Sequence, residues 1–208
     1  MVLKINFKNR VSLYVNMYTF KSLDEAAKYF TSLFNCNSKD PYKCIRSNLS
    51  FVWGEAVLYH GKAVMFCGEV GSGKTTLITA FVNDSSAEIV SDSVTWIYIS
   101  TGEKPFVFSN ISAETGTGVL YSPLECVVYL TNLDDRKKVK RGFRRGSKKR
   151  IIDRMFSMLD WIKFPPTVKN HYYNGLDQLI FFEYNPYGQN PSQTYSSIKE
   201  KIDSRLGL

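Results

Sequence analysis

Short runs in which apolar and polar residues alternate recur along the chain, and such runs are typical of β-strands with one buried face. Val11, Leu13 and Val15 lie in the first of these runs. Further along, the runs FVWGEAVLYH and KAVMFC flank a turn at His60-Gly61, which predicts a β-hairpin. Additional strands are predicted for the runs EIVSDSVTWIYIS, PFVFS and LECVVYLT.

Helical signals separate these strands. Ser22 and Glu25 have the spacing of a capping box, which predicts a helix that ends near Asn35. Residues 36–49 are predicted to form a loop. A second helix is predicted directly after the glycine-rich segment 68–73, and two more over RIIDRMFSMLDWI and SSIKEKIDSRL. The aromatic-rich residues between the last two helices are predicted to be irregular.

The glycine-rich segment is a complete phosphate-binding motif. It reads Gly68-Glu69-Val70-Gly71-Ser72-Gly73-Lys74-Thr75, followed by Thr76, and fits the pattern G-x-x-x-x-G-K-[ST]. Its glycines let the backbone turn tightly and point consecutive N–H groups at an anion, and the helix that follows adds its positive end. Lys74 is placed to contact the β- and γ-phosphates, and the Thr75 hydroxyl to ligate Mg²⁺. Residues 68–76 are therefore predicted to bind ATP with Mg²⁺.

The order strand, glycine loop, helix, strand predicts an α/β fold. It is typical of a P-loop nucleotide-binding core, here with extra β-hairpins and a small α+β extension at the N-terminus. The length of 208 residues fits a single domain. Within it we distinguish the N-terminal extension (1–50), the P-loop core (51–135), a basic segment (136–150) and a helical or irregular C-terminal part (151–208).

The residues around the loop resemble the catalytic domain of the HPr kinase/phosphorylase family. That family has the pattern L-H-G, then Tyr-Gly, then the phosphate loop, then V-A-D-D-V. The counterparts here, at closely similar spacing, are Val52-Trp53-Gly54, Tyr59-His60-Gly61, the loop at 68–75 and Val90-Ser91-Asp92-Ser93-Val94. The resemblance runs from about Phe51 to Val94 and more faintly to Leu130.

This resemblance implies an HPr-kinase-like enzyme that transfers the γ-phosphoryl group of Mg·ATP to a hydroxyl on a protein, a small molecule or a nucleic acid. It implies that Lys74 binds phosphate, that Thr75 is a Mg²⁺ ligand, and that Asp92 is the base toward the acceptor hydroxyl. A carboxylate beside the P-loop strand is well placed to take that proton. The alternative is that Asp92 is a turn residue, because Ser-Asp-Ser is typical of turns. Glu114 is the candidate for a further metal ligand.

Two positions depart from the family's pattern. Trp53 stands where the family has an active-site histidine, and Ser93 replaces its second aspartate. A degenerate ATP-binding module without turnover is therefore one alternative to a kinase. A second alternative is a nucleic-acid-associated P-loop ATPase or ATP-binding switch, in which no acceptor hydroxyl is phosphorylated.

The positive charge of the chain is concentrated in one place. Eleven of the 27 lysines and arginines and one of the 19 acidic residues lie between Arg136 and Arg154. The other residues therefore carry 16 basic and 18 acidic side chains, so the net charge of +8 belongs to this segment.

Three interpretations of the basic segment stay open. It is a solvated mobile loop, a site for an anionic partner, or the source of an arginine that reaches the γ-phosphate during transfer. As a partner site it would bind nucleic acid, a phosphorylated metabolite or an acidic peptide. The residues assigned to that contact are Arg141, Arg144, Arg145, Lys148 and Lys149.

Composition excludes several classes of protein. The sequence contains no run of 18 uncharged apolar residues, so no membrane span is predicted. The first residues carry too many charges for a secretory signal. The four cysteines, Cys36, Cys44, Cys67 and Cys126, lack zinc-finger spacing and are predicted to be reduced thiols, with a disulfide or metal pair at Cys36 and Cys44 as the alternative. A cytoplasmic protein is predicted. The sequence leaves its oligomeric state open, a homo-oligomer included.

Overall fold

The computed structural model describes residues 2–6, 12–16, 49–85, 87–92, 94–99, 104–108, 121–131, 141–144, 147–156 and 166–208. The strands are β1 (Val2–Asn6), β2 (Ser12–Asn16), β3 (Leu49–Tyr59), β4 (Lys62–Cys67), β5 (Glu88–Ser91), β6 (Val94–Tyr98), β7 (Phe106–Phe108), β8 (Tyr121–Leu130), β9 (Gly142–Arg144) and β10 (Ile180–Asn185). The helices are α1 (Lys74–Ser85), α2 (Lys148–Met155), α3 (Pro166–Gly175) and α4 (Pro191–Leu206).

The N-terminal strand prediction is confirmed. Strand β2 covers most of the run that starts at Val11, and it pairs antiparallel with β1 from Val2↔Asn16 to Asn6↔Ser12. The predicted helix after Ser22 lies outside the described residues. The predicted loop at 36–49 does too, except that Leu49 already belongs to β3.

Eight of the described strands form one mixed sheet, which confirms the predicted α/β class. The strand that leads into the phosphate loop, β4, lies between β3 on one side and β8 on the other. Its pairing with β3 is antiparallel, whereas its pairing with β8 is parallel. Strand β10 continues the parallel part beside β8, and β9 closes that edge with antiparallel pairs.

Two long strands each belong to two parts of this sheet. Strand β3 pairs with β6 along Leu49–Trp53 and with β4 along Gly54–Tyr59. Strand β8 likewise pairs with β7 at Tyr121–Pro123 and with β4 from Leu124 onward. Because β6 also pairs with β7, the five strands β3, β4, β8, β7 and β6 form a closed ring of pairings. This ring fixes β3 against the strand that carries the phosphate loop.

Glycine is required where β3 changes partner. A Cβ atom at Gly54 would lie 3.1 Å from the Cys67 sulfur and 3.1 Å from the Phe66 carbonyl oxygen of β4. The Gly54 carbonyl also accepts a hydrogen bond of 2.8 Å from the hydroxyl of Thr95 on β6. The absent side chain therefore lets β3 approach β4 closely at the end where the phosphate loop begins.

The sheet separates two hydrophobic cores, because side chains alternate between its faces. On β4, Met65 and Cys67 pack with the core that includes α2 and α3. Val64 and Phe66 face the opposite core, which includes α1 and α4. Cys67 and Cys126 are buried free thiols, and burial raises the pKa of Cys67 to about 12. Cys36 and Cys44 lie outside the described residues.

The prediction of irregular structure after the basic segment is wrong in two places. Helix α3 and strand β10 both lie there, and β10 pairs with β8 from Ile180↔Cys126 to Tyr184↔Leu130. The sequence of β10, IFFEYN, alternates apolar and polar residues only over its last four positions, and all four of these are buried. The alternating stretch is too short to have predicted the strand.

The last helix begins earlier than the sequence predicted. Asn190 caps α4 by accepting a hydrogen bond of 2.9 Å from the backbone N–H of Gln193, whose side chain bonds back to the N–H of Asn190. Pro191 occupies the first turn, where its missing N–H costs nothing. The predicted SSIKEKIDSRL is thus the later part of a helix that already starts at Pro191.

Helix α4 docks on α1 and on the β3–β4 hairpin. Tyr195 packs edge-on against Phe81 of α1 at 4.9 Å between ring centroids, and its hydroxyl donates to Asp84 at 2.6 Å. At the hairpin, the Tyr59 hydroxyl donates to Asp203 at 2.7 Å. The helix therefore braces the element that follows the phosphate loop. None of the helices in the described part of the chain has the length and apolar character that a bilayer crossing requires.

Candidate active site

The predicted phosphate loop connects β4 to α1 at the edge of the sheet where the parallel strands end. The Ser72 N–H donates to the Glu69 carbonyl at 3.1 Å, which closes a tight turn, and the Leu77 N–H donates to Gly73 as α1 begins. Val70 stands at the tip and is 82% exposed. The loop therefore has the position and the compact backbone that an anion cradle needs.

Gly68 begins the loop in a conformation that tolerates no side chain. Its φ is 150°, and a Cβ atom there would lie 2.6 Å from the Ser72 hydroxyl and 2.9 Å from the Leu130 carbonyl of β8. The first of these contacts could be relieved by rotation of a serine, but the second is to backbone. The start of the loop is thus held against the neighbouring parallel strand.

We expect Gly68→Ala to displace the loop and to weaken ATP binding by about tenfold or more, the effect of losing a hydrogen bond to a charged group. Gly61→Ala is the matched control, because Gly61 also has a positive φ, of 74°, but a Cβ atom there would meet nothing within 4 Å. Titration calorimetry with ATP would compare the two variants. Equal affinities would show that the approach of Gly68 to Leu130 does not set the shape of the loop.

Lys74 lies folded over the loop. Its side chain is 8% exposed, and its ammonium group donates to the carbonyls of Gly68 and Glu69, each at 2.9 Å. Burial lowers the pKa of Lys74, and the charges of Glu55 and Glu69 act in the opposite direction. Both bonds are made to carbonyls of the loop itself, so they hold the ammonium group beside the loop. Phosphate oxygens of a bound nucleotide would accept hydrogen bonds from it in place of the two carbonyls.

Thr75 contacts a carboxylate that the sequence did not predict as a site residue. Its hydroxyl donates to Glu55 of β3 at 2.8 Å. Glu55 is 4% exposed, and burial raises its pKa, while the bond from Thr75 lowers it and the charge of Asp92 raises it further. A buried acid in the apolar run FVWGEAVLY, directly before the loop strand, is the sequence signal that could have identified Glu55.

The predicted strand EIVSDSVTWIYIS forms two strands, and Asp92 lies directly after the first of them, β5, and is exposed. Strand β5 pairs with β3 at Ser91↔Ala56 and not with the loop strand β4, but the charge of Asp92 still acts on the Glu55 carboxyl. The structure therefore brings Lys74, Thr75 and Glu55 together at the loop, with Asp92 within electrostatic range of Glu55. The role of Asp92 as a base stays a prediction. Ser93 lies outside the described residues.

The oxygen donors in this cluster are of the type that Mg²⁺ prefers. The hydroxyl of Thr75 and the carboxylates of Glu55 and Asp92 are hard ligands, and a site with few protein ligands suits an ion that keeps water and phosphate in its shell. No group of three or more His, Cys, Asp or Glu side chains forms a metal cage within the described ranges. Glu114, the other predicted ligand, lies outside them.

Trp53 is exposed near the loop. It is two residues before Glu55 on β3, so the two side chains share one face of the strand. Its exposed fraction of 38% is high for an indole. Trp53 is thus partly exposed on the strand face that carries the buried Glu55.

The residues assigned to an anionic partner divide into three groups. Arg141 and Lys149 are exposed, and the Lys149 ammonium lies 5.5 Å from the centroid of the Tyr173 ring. Lys148 pairs with Asp177 at 3.0 Å, and Arg144 forms an ion pair with Glu183. Arg145 lies outside the described residues. Their contact with a partner stays a prediction.

Glu183 on β10 gathers three arginines. Its side chain is fully buried; Arg144 of β9 contacts Oε1 at 2.5 Å and Arg154 of α2 contacts the same oxygen at 3.5 Å. Arg150 of α2 bonds to Oε2. Burial raises the pKa of Glu183, but the bonds from Arg144 and Arg150 outweigh it, so the pKa lies below its ordinary value. We call these four residues the arginine cluster.

We expect Glu183→Gln to lower the free energy of unfolding by about 2 kcal/mol at neutral pH, because it weakens the charged hydrogen bonds from Arg144 and Arg150. A carboxyl whose pKa is lowered on folding stabilises the folded protein when the pH is above the ordinary pKa of the carboxyl, which is 4.5. That stabilisation is lost as the pH falls through the lowered pKa of the folded state. The difference in free energy of unfolding between the variant and the parent should therefore become smaller as the pH falls below 4.5. Urea unfolding across the pH range would measure it, with the exposed Glu200→Gln as control. A gap that stays constant with pH would contradict the charge assignment.

Fold and loop together define a P-loop nucleoside triphosphatase core. The model of the ATPase family associated with various cellular activities (AAA) matches residues 64–178. That match covers more than half of the chain, so the chain belongs to this ATPase family and carries an ATP-binding P-loop domain. The match begins within β4 and includes the phosphate loop, β8 and the arginines of α2.

The other comparisons add little. The Hpr(Ser) kinase/phosphatase from Coxiella burnetii is similar in structure with a TM-score of 0.42 and 11% identity, over 76% of this chain and 93% of that chain. A likeness this weak assigns no activity, so the HPr-kinase-like assignment stays a prediction. No curated protein matches the chain.

Proposed function

We propose that this AAA-family chain is a phosphotransferase of HPr-kinase-like type, which transfers the γ-phosphoryl group of Mg·ATP to an acceptor hydroxyl. The observation that carries the proposal is the hydrogen bond of 2.8 Å from the Thr75 hydroxyl to the buried carboxylate of Glu55, on which the charges of both Lys74 and Asp92 act. A P-loop that only holds a nucleotide needs the lysine and the hydroxyl. Two further acids close to where the γ-phosphate would lie support proton transfer or positioning of a nucleophile.

The loop residues bind the nucleotide in this proposal. The backbone N–H groups of residues 68–76 and the positive end of α1 hold the phosphates, and Lys74 moves from the Gly68 and Glu69 carbonyls to phosphate oxygens. Thr75 and one of the nearby carboxylates would hold Mg²⁺. That ion supplies charge neutralisation of the phosphates when bound.

Asp92 is proposed as the base. It is exposed, so an acceptor hydroxyl can reach it, and a carboxylate there can accept the proton as the oxygen attacks phosphorus. Glu55 is buried and bonded to Thr75, so we assign it a positioning role: it orients the threonine hydroxyl toward the phosphates.

An ATPase is the second candidate, and membership of the AAA family favours it. In that case a water molecule replaces the acceptor hydroxyl, and the same Asp92 and Glu55 orient and deprotonate it. Such an ATPase would act as a switch for an anionic partner, such as nucleic acid, at the basic segment. Retention of the nucleotide without turnover, suggested by Trp53 and by serine at position 93, is the third outcome.

The fate of labelled phosphate separates these functions. ATP labelled in the γ-position is incubated with the protein, Mg²⁺ and candidate acceptors, and products are separated by chromatography. Label on an acceptor, with a mass gain of about 80 Da per phosphoryl group, supports the kinase. Release of free phosphate in every mixture supports the ATPase, and neither product from a protein that binds ATP supports the module without turnover.

A further inference from the structure

The arginine cluster lies in the same row of the sheet as the start of the phosphate loop. Glu183 pairs in register with Tyr129 of β8, and Tyr129 pairs with Cys67, the residue directly before the loop. Two interstrand spacings separate β10 from β4, a distance of about 10 Å. An arginine side chain can cover much of that distance.

Tyr129 connects the cluster to the loop. The Arg154 guanidinium lies 5.5 Å from the centroid of the Tyr129 ring. Burial raises the pKa of Tyr129 to about 12, the charge of Arg154 lowers it and the charge of Glu69 raises it. Arg154 of α2 thus lies over the ring of the residue that pairs with Cys67, directly before the loop, and the charge of the loop residue Glu69 acts on the same phenol.

One carboxylate is too small an anion for this cluster. A guanidinium carries five N–H donors and a carboxylate accepts about four hydrogen bonds, so Glu183 cannot saturate Arg144 and Arg150 together. The side chains of these two arginines are 18% and 47% exposed, so they reach solvent while Glu183 does not. Arg144 and Arg150 thus carry more positive charge than Glu183 balances, and that charge faces outward.

The position of the cluster is also one where α/β proteins bind ligands. Ligands of open parallel sheets bind outside the carboxyl ends of the strands, and β4, β8 and β10 end together at this edge. Glu183 fixes the arginines from below, in the way that a buried acid orients cationic groups for a planar oxyanion. Planar guanidiniums match phosphate oxygens in pairs.

We propose that Arg144, Arg150 and Arg154, held by Glu183, form a second oxyanion site that binds a phosphate group of the acceptor beside the γ-phosphate of ATP. The acceptor is then a phosphorylated molecule whose phosphate lies on the β10 side of the loop strand and whose hydroxyl reaches across the loop toward Asp92, which follows β5 on the β3 side. Its identity as an acceptor rests on the proposed function, whereas the anion site itself does not. Part of the basic segment is on this account a substrate-binding element of the fold.

The test measures binding of inorganic phosphate by titration calorimetry to protein saturated with Mg²⁺ and a non-hydrolysable ATP analogue. The analogue fills the positions of both the β- and γ-phosphates, so any phosphate that binds does so elsewhere. We expect binding to this complex, and a loss of affinity of about 10- to 100-fold in Arg150→Gln and in Arg154→Gln, the effect of removing a charged hydrogen-bond donor. Arg205→Gln, an exposed arginine on α4, is the matched control and should bind phosphate as the parent does.

Each result decides the proposal independently of turnover. Phosphate that binds with ADP but not with the ATP analogue would mean that the arginines serve the γ-phosphate itself, which overturns a second site. Binding that is unchanged in both cluster variants, or absent from the parent, overturns it as well. Arg150 is the most exposed of the three, and thermal melting confirms that its variant is folded before binding is measured. Phosphate binding without any phosphorylated product would support the anion site and contradict the kinase.

Discussion

Replacement of Asp92 by asparagine is expected to lower the rate of phosphoryl transfer or ATP hydrolysis by about 10²–10⁴-fold, because the amide cannot accept a proton. ATP affinity should change little, since the loop and Lys74 bind the phosphates. Asp92 is exposed and comes after the end of β5, so its loss removes little packing. Turnover under saturating ATP and the dissociation constant of ATP are the two quantities to measure.

The control for Asp92→Asn is Glu88→Gln, which removes an exposed acid at the other end of the same strand. That variant should keep the parent's rate. If Asp92→Asn instead melts at a lower temperature and keeps its rate per folded molecule, Asp92 is a turn residue, the alternative that the sequence left open.

Lys74→Ala is expected to weaken ATP binding by about 10- to 100-fold, through loss of a charged hydrogen-bond donor to phosphate, and to abolish turnover at physiological ATP concentrations. The fold should survive. The ammonium group of Lys74 donates to the carbonyls of Gly68 and Glu69 within the loop, so its loss removes no hydrogen bond to another strand or helix. Burial also disfavours the charge of this lysine. Fluorescence titration with a labelled nucleotide would measure the affinity.

Lys104→Ala provides the comparison for Lys74→Ala, because Lys104 is not assigned to the site and forms an exposed ion pair with Glu125. Exposed pairs of this kind contribute little to stability. A folded Lys74→Ala protein with the parent's affinity for ATP would overturn the assignment of the nucleotide site.

The elements that the sequence predicted are those whose signals are local. The phosphate loop and the hairpin of β3 and β4 depend on residues within about ten positions of one another, through glycine conformations and alternation. Strand β10 was missed because its partner β8 lies more than fifty residues earlier and its own alternation of apolar and polar residues is short. Pairing with a parallel strand that is distant in sequence gives no local sequence signal in the residues that flank β10.

The site divides in the same way. Lys74 and Thr75 follow from a continuous motif, whereas the approach of Glu55 to Thr75 depends on how β3 lies against the loop, across twenty residues. The pairing of Arg144 with Glu183 spans 39 residues and could not be read from the basic segment alone. Charge composition left an anion site as one of three interpretations of the basic segment, and the tertiary structure adds which arginines would build such a site.

The docking of α4 on α1 has a consequence for synthesis of the chain. Phe81 and Asp84 of α1 contact Tyr195, which follows Asp84 by 111 residues. These contacts cannot form until Tyr195 has been synthesised. At ribosomal rates of about 5–20 residues per second, that interval lasts about 5–20 s. During it the helix behind the phosphate loop has an uncovered aromatic face on the nascent chain. The helix that follows the phosphate loop is thus synthesised well before the helix that packs against it, so this part of the nucleotide-binding core reaches its final packing late in synthesis.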